Sequence, residues 1–190
     1  MSIRYTVSGG LTRRTVLTGL AALGGLSATP PALAAYNSGK GDFRSLRLVN
    51  SRTGERVSTV YWVDGQYIPE ALDAFNYILR DWRAERATSM DPRIIDILAA
   101  THNLLDCGEP FDIVSGFRTQ GTNAMLRRRS RGVAKKSYHT RGMAVDIALK
   151  SRSVEQISGA GKALSAGGVG RYTRSKFVHL DSGPVRDWGR

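Results

Sequence analysis

The sequence predicts a single small α+β domain, built from an antiparallel sheet with helices packed on one of its faces. Its 190 residues are the length of one domain, and 41% of them are hydrophobic, which is enough to form a core. Short stretches of alternating apolar and polar residues predict the strands, whereas apolar residues three and four positions apart predict the helices.

The first half of the chain predicts a hairpin followed by helices. Residues 45–49 alternate and residues 55–62 return, with turn-forming residues at 50–54 between them. Pro69 and Glu70 are typical of the first turn of a helix. The apolar residues that recur at helical spacing after this start are Leu72, Phe75, Ile78, Leu79 and Trp82.

A second helix is predicted to begin at Asp91, whose side chain can cap it just before Pro92. Its apolar face is formed by Ile94, Ile95, Leu98 and Leu105. His102 lies beside that face near the C-terminal end, where the helix dipole favours a packed or capping histidine. We favour this interpretation over a role for His102 as a metal ligand.

The second half of the chain predicts strands that alternate with short helices. Strands are predicted at residues 111–115, 143–148 and 177–181. A short helix with a basic end is predicted at 122–129, and another from Ser153 to about Ala166, opened by the pattern of a capping box. The glycines that then indicate tight backbone before the last strand are Gly167, Gly168 and Gly170.

Two of the predicted strands carry side chains that can bind a metal ion. Asp146 shares one face of its strand with Ala144 and Ala148, so little bulk crowds its carboxylate. On the last strand His179 and Asp181 also share a face, about 6–7 Å apart along the strand. A ligand and a candidate base are therefore expected on one surface.

His139 precedes the first of these strands, and Gly142 permits a backbone conformation that turns His139 back toward Asp146. Imidazole nitrogen and carboxylate oxygen are ligands of zinc, and a catalytic zinc site uses three protein ligands and an open position. His139, Asp146 and His179 would supply these ligands. On spacing alone the alternative of scattered surface groups stays open, because His-x6-Asp is a weak pattern.

The same residues belong to a longer motif at residues 137–146, which has the form S-x-H-x-x-G-x-A-x-D. Together with segments 115–119, 130–136 and 167–170, it resembles the zinc peptidases that cut bacterial cell-wall peptides. This group includes D-Ala-D-Ala carboxypeptidases, lysostaphin-type enzymes and murein endopeptidases. The likeness is greatest to the murein endopeptidase K subfamily, and it covers roughly residues 44–188.

The resemblance implies a hydrolase with one zinc ion bound by His139, Asp146 and His179, on a small α+β fold. It also implies that Arg118 lies beside the zinc. A guanidinium there can hold a substrate carboxylate or stabilise a charged tetrahedral intermediate. A structural salt bridge is the alternative role of Arg118.

The general base departs from the pattern of the family. Many relatives use a glutamate three residues before the last zinc ligand, where this chain has Lys176, and others use a histidine at the position of Phe177. Asp181 is the nearest carboxylate on the same face, and we predict that it is the base. Its alternative role is to orient a zinc-binding histidine, and Asp106 and Glu109 stay open as other sources of the base.

Residues 1–34 are predicted to be an export signal of the twin-arginine type. Arg13 and Arg14 precede an apolar run at 16–26, and residues 32–34 form an A-x-A cleavage site. The alternative is an N-terminal membrane anchor, although the run is short for a spanning helix.

After the signal, residues 35–43 are predicted to form a flexible leader and residues 44–190 the zinc peptidase domain. No later stretch of the sequence is long and apolar enough to span a bilayer. We therefore expect an exported, periplasmic protein.

The chain is strongly basic, with a formal net charge of +12 and its densest positive run at residues 127–136. A basic exported protein is attracted to polyanions, and peptidoglycan with its free carboxylates fits better than nucleic acid. The run is either simply solvated or attracts an acidic wall peptide. Cys107 is the only cysteine, which excludes an internal disulfide, and we expect a buried, inert thiol.

These features together predict an exported zinc metallopeptidase that cleaves peptidoglycan peptide cross-links. The resemblance implies L,D-type cleavage between two diaminopimelate residues. Two alternatives stay open: a D,D-carboxypeptidase of the same fold, and a non-catalytic peptidoglycan-binding module. The missing glutamate and histidine bases favour the binding module, whereas the intact set of metal ligands argues against it.

Overall fold

A computed structural model of the chain describes residues 43–130 and 132–189. These residues form four α-helices, one 3₁₀-helix and a single eight-stranded sheet. Among them no helix combines the length and the apolar character needed to cross a bilayer. The predicted signal at 1–34, the leader at 35–43 apart from Phe43, and Arg131 of the basic run lie outside the described residues.

The elements alternate along the chain in short segments. The strands are β1 (Phe43–Asn50), β2 (Glu55–Val63), β3 (Gln66–Tyr67), β4 (Phe111–Ser115), β5 (Ala144–Ala148), β6 (Gly168–Tyr172), β7 (Phe177–Asp181) and β8 (Arg186–Gly189). The α-helices are α1 (Pro69–Ile78), α2 (Pro92–Leu104), α3 (Gln120–Arg129) and α4 (Val154–Ala163). The 3₁₀-helix spans Tyr138–Arg141 and leads into β5.

The sheet is mixed, with the strand order β3-β2-β1-β4-β5-β7-β6-β8. Neighbouring strands are antiparallel except for β1 with β4 and β6 with β8, which are parallel. The predicted small antiparallel sheet is therefore wrong in size and in pairing. β4 can run parallel to β1 because α1 and α2 lie between the two strands in the sequence. They make the connection long enough for a crossover. The strands that carry the predicted ligands, β5 and β7, do pair antiparallel.

The sequence patterns miss two strands beside the site, β6 and β8. β6 contains two of the glycines that indicated tight backbone, and β8 has only four residues. β6 forms a hairpin with β7, and β8 pairs with the outer edge of β6. Long-range pairing stabilises these strands, and a local sequence pattern does not reveal such pairing.

Three of the four described helices pack on one face of the sheet, where the core lies. On α1 the ring of Phe75 meets Tyr61 of β2 edge to face, with centroids 5.9 Å apart. On α2 Asp96 accepts a hydrogen bond from the same tyrosine hydroxyl at 2.9 Å. On α4 Gly161 packs closely over Leu180 of β7. All of α3 is described, and none of its residues belongs to the hydrophobic core, so it departs from the predicted arrangement.

The helix starts agree with their sequence signals better than the helix ends do. Asp91 caps α2 by accepting a hydrogen bond of 3.0 Å from a backbone N–H of the first turn. The predicted capping box is present at Ser153 and Gln156. α1, however, ends at Ile78 and leaves Trp82 outside, because residues 81–86 form a turn closed by a bridge of their own.

Candidate metal centre

Three buried side chains from three segments meet on the face of the sheet opposite the helices. Asp146 on β5 and His179 on β7 are direct partners across an antiparallel pair. Their neighbours Val145 and Leu180 point the other way, into the core. His139 joins them from the 3₁₀-helix. His139 is 2%, Asp146 3% and His179 8% exposed, so the three form an enclosed group.

One atom of each side chain points to a common centre. The Nε2 atom of His139 lies 3.1 Å from Oδ1 of Asp146 and 3.1 Å from Nδ1 of His179. The last edge of this triangle, from His179 Nδ1 to Asp146 Oδ1, is 2.8 Å. Ligand atoms at about 2.0–2.1 Å from a tetrahedral zinc ion lie about 3.3 Å apart. The three atoms therefore fit one zinc-sized ion with little movement.

The outer nitrogen of each imidazole is held by a hydrogen bond that fixes the tautomer. His139 Nδ1 donates to the carbonyl oxygen of Gly116 at 2.7 Å. His179 Nε2 donates to Oδ2 of Asp181 at 2.9 Å. With the protons on the outer nitrogens, the inner nitrogens present lone pairs to the common centre, as metal-binding histidines do.

The electrostatic surroundings favour a carboxylate at the centre. Burial alone would raise the pKa of Asp146, but the charges and hydrogen bonds of His139 and His179 outweigh it and lower that pKa. Burial lowers the pKa of His139 and so favours the neutral imidazole that a metal needs. For His179 burial is outweighed by its hydrogen bonds to Asp146 and Asp181, which raise its pKa. A metal ion would require the inner nitrogen of His179 to be free of a proton.

A glycine directs His139 toward the other ligands. Gly142 ends the 3₁₀-helix with φ = 68°, a left-handed conformation that favours glycine. An added Cβ would lie 2.8 Å from the carbonyl oxygen of Ser89. The carbonyl of Gly142 in turn accepts a hydrogen bond of 2.9 Å from the backbone N–H of Asp91. The turn predicted at Gly142 is present and is held against the start of α2.

Arg118 lies against the ligand carboxylate. Its Nη2 donates to Oδ2 of Asp146, the oxygen that faces away from the histidines. Its Nε donates to the hydroxyl of Ser115 at 2.8 Å, and its backbone N–H donates to the carbonyl of His139 at 3.1 Å. The guanidinium is thus held in place beside the candidate metal centre by groups on β4, β5 and the 3₁₀-helix.

Asp181 is completely buried and its two oxygens are occupied by donors. Oδ2 accepts from His179 at 2.9 Å and from Arg186 Nη2 at 2.7 Å. Oδ1 accepts from Arg186 Nη1 at 3.0 Å and from the backbone N–H groups of Gly168 and Gly183 at 3.2 and 2.9 Å. These donors lower the pKa of Asp181 in spite of its burial. The carboxylate is therefore charged and fully engaged.

Two glycines of β6 let side chains of β8 reach across to β7. Gly168 lies opposite both Asp181 and Arg186 in the sheet, and a Cβ there would lie 2.4 Å from the guanidinium. Gly170 lies opposite His179, and a Cβ there would lie 2.6 Å from the indole ring of Trp188. The glycines thus allow the Asp181–Arg186 ion pair to form and Trp188 to approach the ring of His179 at 5.4 Å.

The whole described domain matches a single protein family. The sequence profile described as peptidoglycan L,D-endopeptidase MepK matches residues 38–188. The chain belongs to this family. The match extends from just before β1 to the middle of β8 and includes the three candidate ligands.

Relatives of the chain carry the same name. The chain is 41% identical over 176 residues to peptidoglycan L,D-endopeptidase MepK of Escherichia coli (strain K12), covering 93% of this chain and 96% of the relative. The same identity and coverage hold for the protein of that name from Shigella flexneri. The probable peptidoglycan L,D-endopeptidase MepK of Haemophilus influenzae is 37% identical over 146 residues, which is 76% of this chain and 78% of the relative.

Other candidates from the sequence do not reach the centre. His102 Nε2 lies 2.6 Å from the carbonyl oxygen of Glu109, and its ring packs against Phe111, so it is a packed histidine as favoured. The carboxylate of Glu109 accepts from backbone N–H groups beyond the far end of β5. Asp106 lies in the exposed turn after α2, next to Cys107 in the sequence. Cys107 is half-buried rather than buried, with its sulfur 3.8 Å from His102.

Sequence reasoning misses the two side chains of β8 that complete the centre, Arg186 and Trp188. Both lie on one face of a short strand, and period-two spacing is the only local signal of this placement. Their contacts depend on the pairing of β8 with β6, which the patterns do not predict.

Replacing His179 with alanine should abolish metal binding, because it removes one ligand and leaves a gap beside Asp146. We expect the purified His179→Ala protein to hold no stoichiometric zinc, measured by elemental analysis after dialysis. His102→Ala, which removes a histidine far from the centre, should keep the metal. Stoichiometric zinc in the His179→Ala protein would contradict the ligand assignment.

Replacing Gly170 with alanine should weaken the support of His179, because the new Cβ forces the ring of Trp188 away. We expect zinc affinity to fall by about tenfold, as for other losses of a contact behind a metal ligand, together with a shift in tryptophan fluorescence. The control is Gly159→Ala on α4, where an added Cβ meets nothing within 4 Å. Unchanged zinc affinity in Gly170→Ala would show that the Trp188 contact does not support the ligand.

Proposed function

We propose that this protein is a zinc-dependent peptidoglycan endopeptidase that cleaves peptide cross-links of the L,D type. One observation carries the proposal: the inner atoms of His139, Asp146 and His179 form a triangle with edges of 2.8–3.1 Å. The chain that bears this triangle is 41% identical over 176 residues to a relative named peptidoglycan L,D-endopeptidase MepK. The donor set of two imidazoles and one carboxylate fits a catalytic zinc site.

The proposed reaction is hydrolysis of a peptide bond. Zinc bound at this centre would polarise the scissile carbonyl and lower the pKa of the attacking water. His139 and His179 are held in the required tautomers by Gly116 and Asp181. Asp146 contributes one oxygen to the centre and gives the other to Arg118. The protein thus holds its ligands in place before substrate arrives.

Arg118 is our candidate for contact with the substrate. Two of its nitrogens are used by Asp146 and Ser115, and within the described residues Nη1 has no protein partner. A fixed guanidinium with a free N–H can donate to a substrate carboxylate or to the oxygen that gains charge during attack. The salt bridge to Asp146 and this role are compatible, because they use different nitrogens.

For Asp181 the contacts favour the orienting role over the role of general base. A base must accept a proton from the attacking water, whereas both oxygens of Asp181 already accept from His179, Arg186 and backbone N–H groups. We propose that Asp181 and Arg186 together fix His179. Its role as the base stays a prediction that would require it to give up one of these partners.

The proposed function is tested by digestion of cross-linked muropeptides with the chain lacking residues 1–34, with and without a chelator. We expect zinc-dependent conversion of dimers to monomers, and the fragment masses identify the bond that is cut. Release of terminal D-Ala from uncross-linked stems, without dimer cleavage, would instead identify a D,D-carboxypeptidase. Retention of wall fragments without any product, while zinc stays bound, would identify a binding module.

The Asp181→Asn variant separates the two roles of this residue. If Asp181 orients His179, we expect zinc affinity to fall by about 10–100-fold, with most turnover restored at saturating zinc. Both quantities are measured by zinc titration of the muropeptide assay. Arg186→Gln should give the same pattern to a smaller degree. Full zinc occupancy with lost turnover would assign Asp181 as the base.

We also propose that the twin-arginine pattern at residues 12–17 directs export. In this test, residues 1–34 are fused to a reporter that is active only outside the cytoplasm. Export should be lost in the Arg13→Lys, Arg14→Lys double variant and kept when Arg4, outside the pattern, is changed to lysine. Continued export of the double variant would contradict the twin-arginine assignment.

A further inference from the structure

A basic cleft lies next to the metal centre and is lined by cations without any carboxylate. Its volume is ≈ 440 Å³, which is in the range of small-ligand sites. Three segments form its walls: α3, the loop at 132–137 and the 3₁₀-helix. The four cations that line it are Arg127, Lys135, Lys136 and Arg141.

The cations of the basic cleft have no carboxylate partner within the part of the chain that the structure describes. None of the four forms an ion pair with any described carboxylate, and all four are exposed. Arg127 and Arg141 are separated by 14 positions, yet the fold brings them to one concavity. Like charges repel each other in such an arrangement, and an anion bound among them would relieve that repulsion. If these charges were only solvated, the cations of three separate segments would have no reason to line one cleft.

Hydrogen bonds fix the walls of the basic cleft. Asn123, which is 2% exposed, donates from Nδ2 to the carbonyl of Ala134 at 3.1 Å and so ties the loop to α3. Thr140 donates its hydroxyl to the carbonyl of Ser137 at 2.7 Å, which closes the start of the 3₁₀-helix. The backbone that carries the cations is therefore held in place before a ligand binds, which lowers the entropy lost on binding.

The basic cleft is continuous with the metal centre along two stretches of backbone. Gln120 of the cleft follows Arg118 by two residues, and Thr140 of the cleft directly follows His139. Consecutive Cα atoms are about 3.8 Å apart, so both walls begin within about 8 Å of residues of the centre. The cleft therefore begins within the length of a short extended peptide from the centre.

We propose that the basic cleft binds a carboxylate-bearing part of the peptide stem that adjoins the scissile cross-link. The inference rests on the proposed function, because that function supplies a substrate with free carboxylates. A stem carboxylate fits better than a phosphate polymer of the wall, since the stem is the part of the substrate already held at the metal centre. The cleft thus selects acidic stems and places the cross-link over the zinc ligands.

The proposal is tested with the Arg127→Gln, Lys136→Gln double variant and a charge-matched control. The control, Arg56→Gln with Lys150→Gln, removes two exposed charges, one on β2 and one two residues after the end of β5. With acidic cross-linked muropeptides we expect the double variant to raise KM by about tenfold, as for two partly exposed ion pairs, while kcat stays near that of wild type. KM should also lose most of its dependence on salt.

A substrate with amidated stem carboxylates tests whether the cations of the cleft act through these carboxylates. The wild-type protein should show the raised KM on this substrate, and the double variant should show no further increase. The proposal would be overturned if the control pair raised KM as much as the double variant does. It would also be overturned if the double variant had a KM about tenfold above that of wild type on the amidated substrate as well. An unchanged KM on the acidic substrate would overturn it too.

Binding of an uncross-linked acidic stem tetrapeptide to the zinc-loaded protein, measured by calorimetry, tests the basic cleft without catalysis. We expect the double variant to bind it about tenfold more weakly than wild type, whether or not the protein cleaves dimers. Loss of dimer cleavage with this difference intact would refute the proposed function but not the cleft. If a glycerol phosphate polymer bound to the cleft more tightly than the tetrapeptide does, the cleft would be assigned to phosphate instead.

Discussion

The direct pairing of Asp146 with His179 across β5 and β7 is the constraint on which the rest of the centre depends. Opposite residues of an antiparallel pair have their Cβ atoms about 4.5–5.5 Å apart, so that a carboxylate and an imidazole can meet at one point. A slip of either strand by one residue would move its side chain of this pair to the face covered by helices. The packing of Val145 and Leu180 in the core therefore sets the ligand geometry as well as the fold.

A chain of hydrogen-bonded groups extends from that pair across the sheet. Its members, from β4 to β8, are Ser115, Arg118, Asp146, His179, Asp181 and Arg186. Each of the two buried carboxylates has its own arginine, which compensates a charge that would otherwise be costly to bury. The position of His179 is thus determined at both ring nitrogens by carboxylates that are themselves fixed.

The meeting of the three candidate ligands is predictable from the sequence because its signals are local. Alternation places Asp146 and His179 on the faces away from the core, and a glycine at 142 marks the turn that directs His139. The groups behind the ligands are not predictable in this way. Arg186 and Trp188 reach the centre only because β8 pairs with β6, and the bare backbone of Gly168 and Gly170 permits it.

The same difference between local signals and long-range pairing explains which parts of the fold the sequence does not predict. The hairpin of β1 and β2, the cap of α2 and the capping box of α4 depend on neighbouring residues and are predicted. The mixed order of the sheet depends on which distant strands meet, and the patterns do not contain that information. The role of Asp181 is ambiguous in the sequence for a related reason: its partner Arg186 is identified only by the folded structure.

The parallel docking of β8 places the support of the centre at one edge of the sheet. β8 is the last described strand, and it supplies the arginine and the indole that support His179 from behind. Opening of this edge strand alone would leave the three candidate ligands in place and remove Arg186 and Trp188 from behind His179. Fraying at one edge of the sheet can therefore loosen the centre while the rest of the domain stays folded.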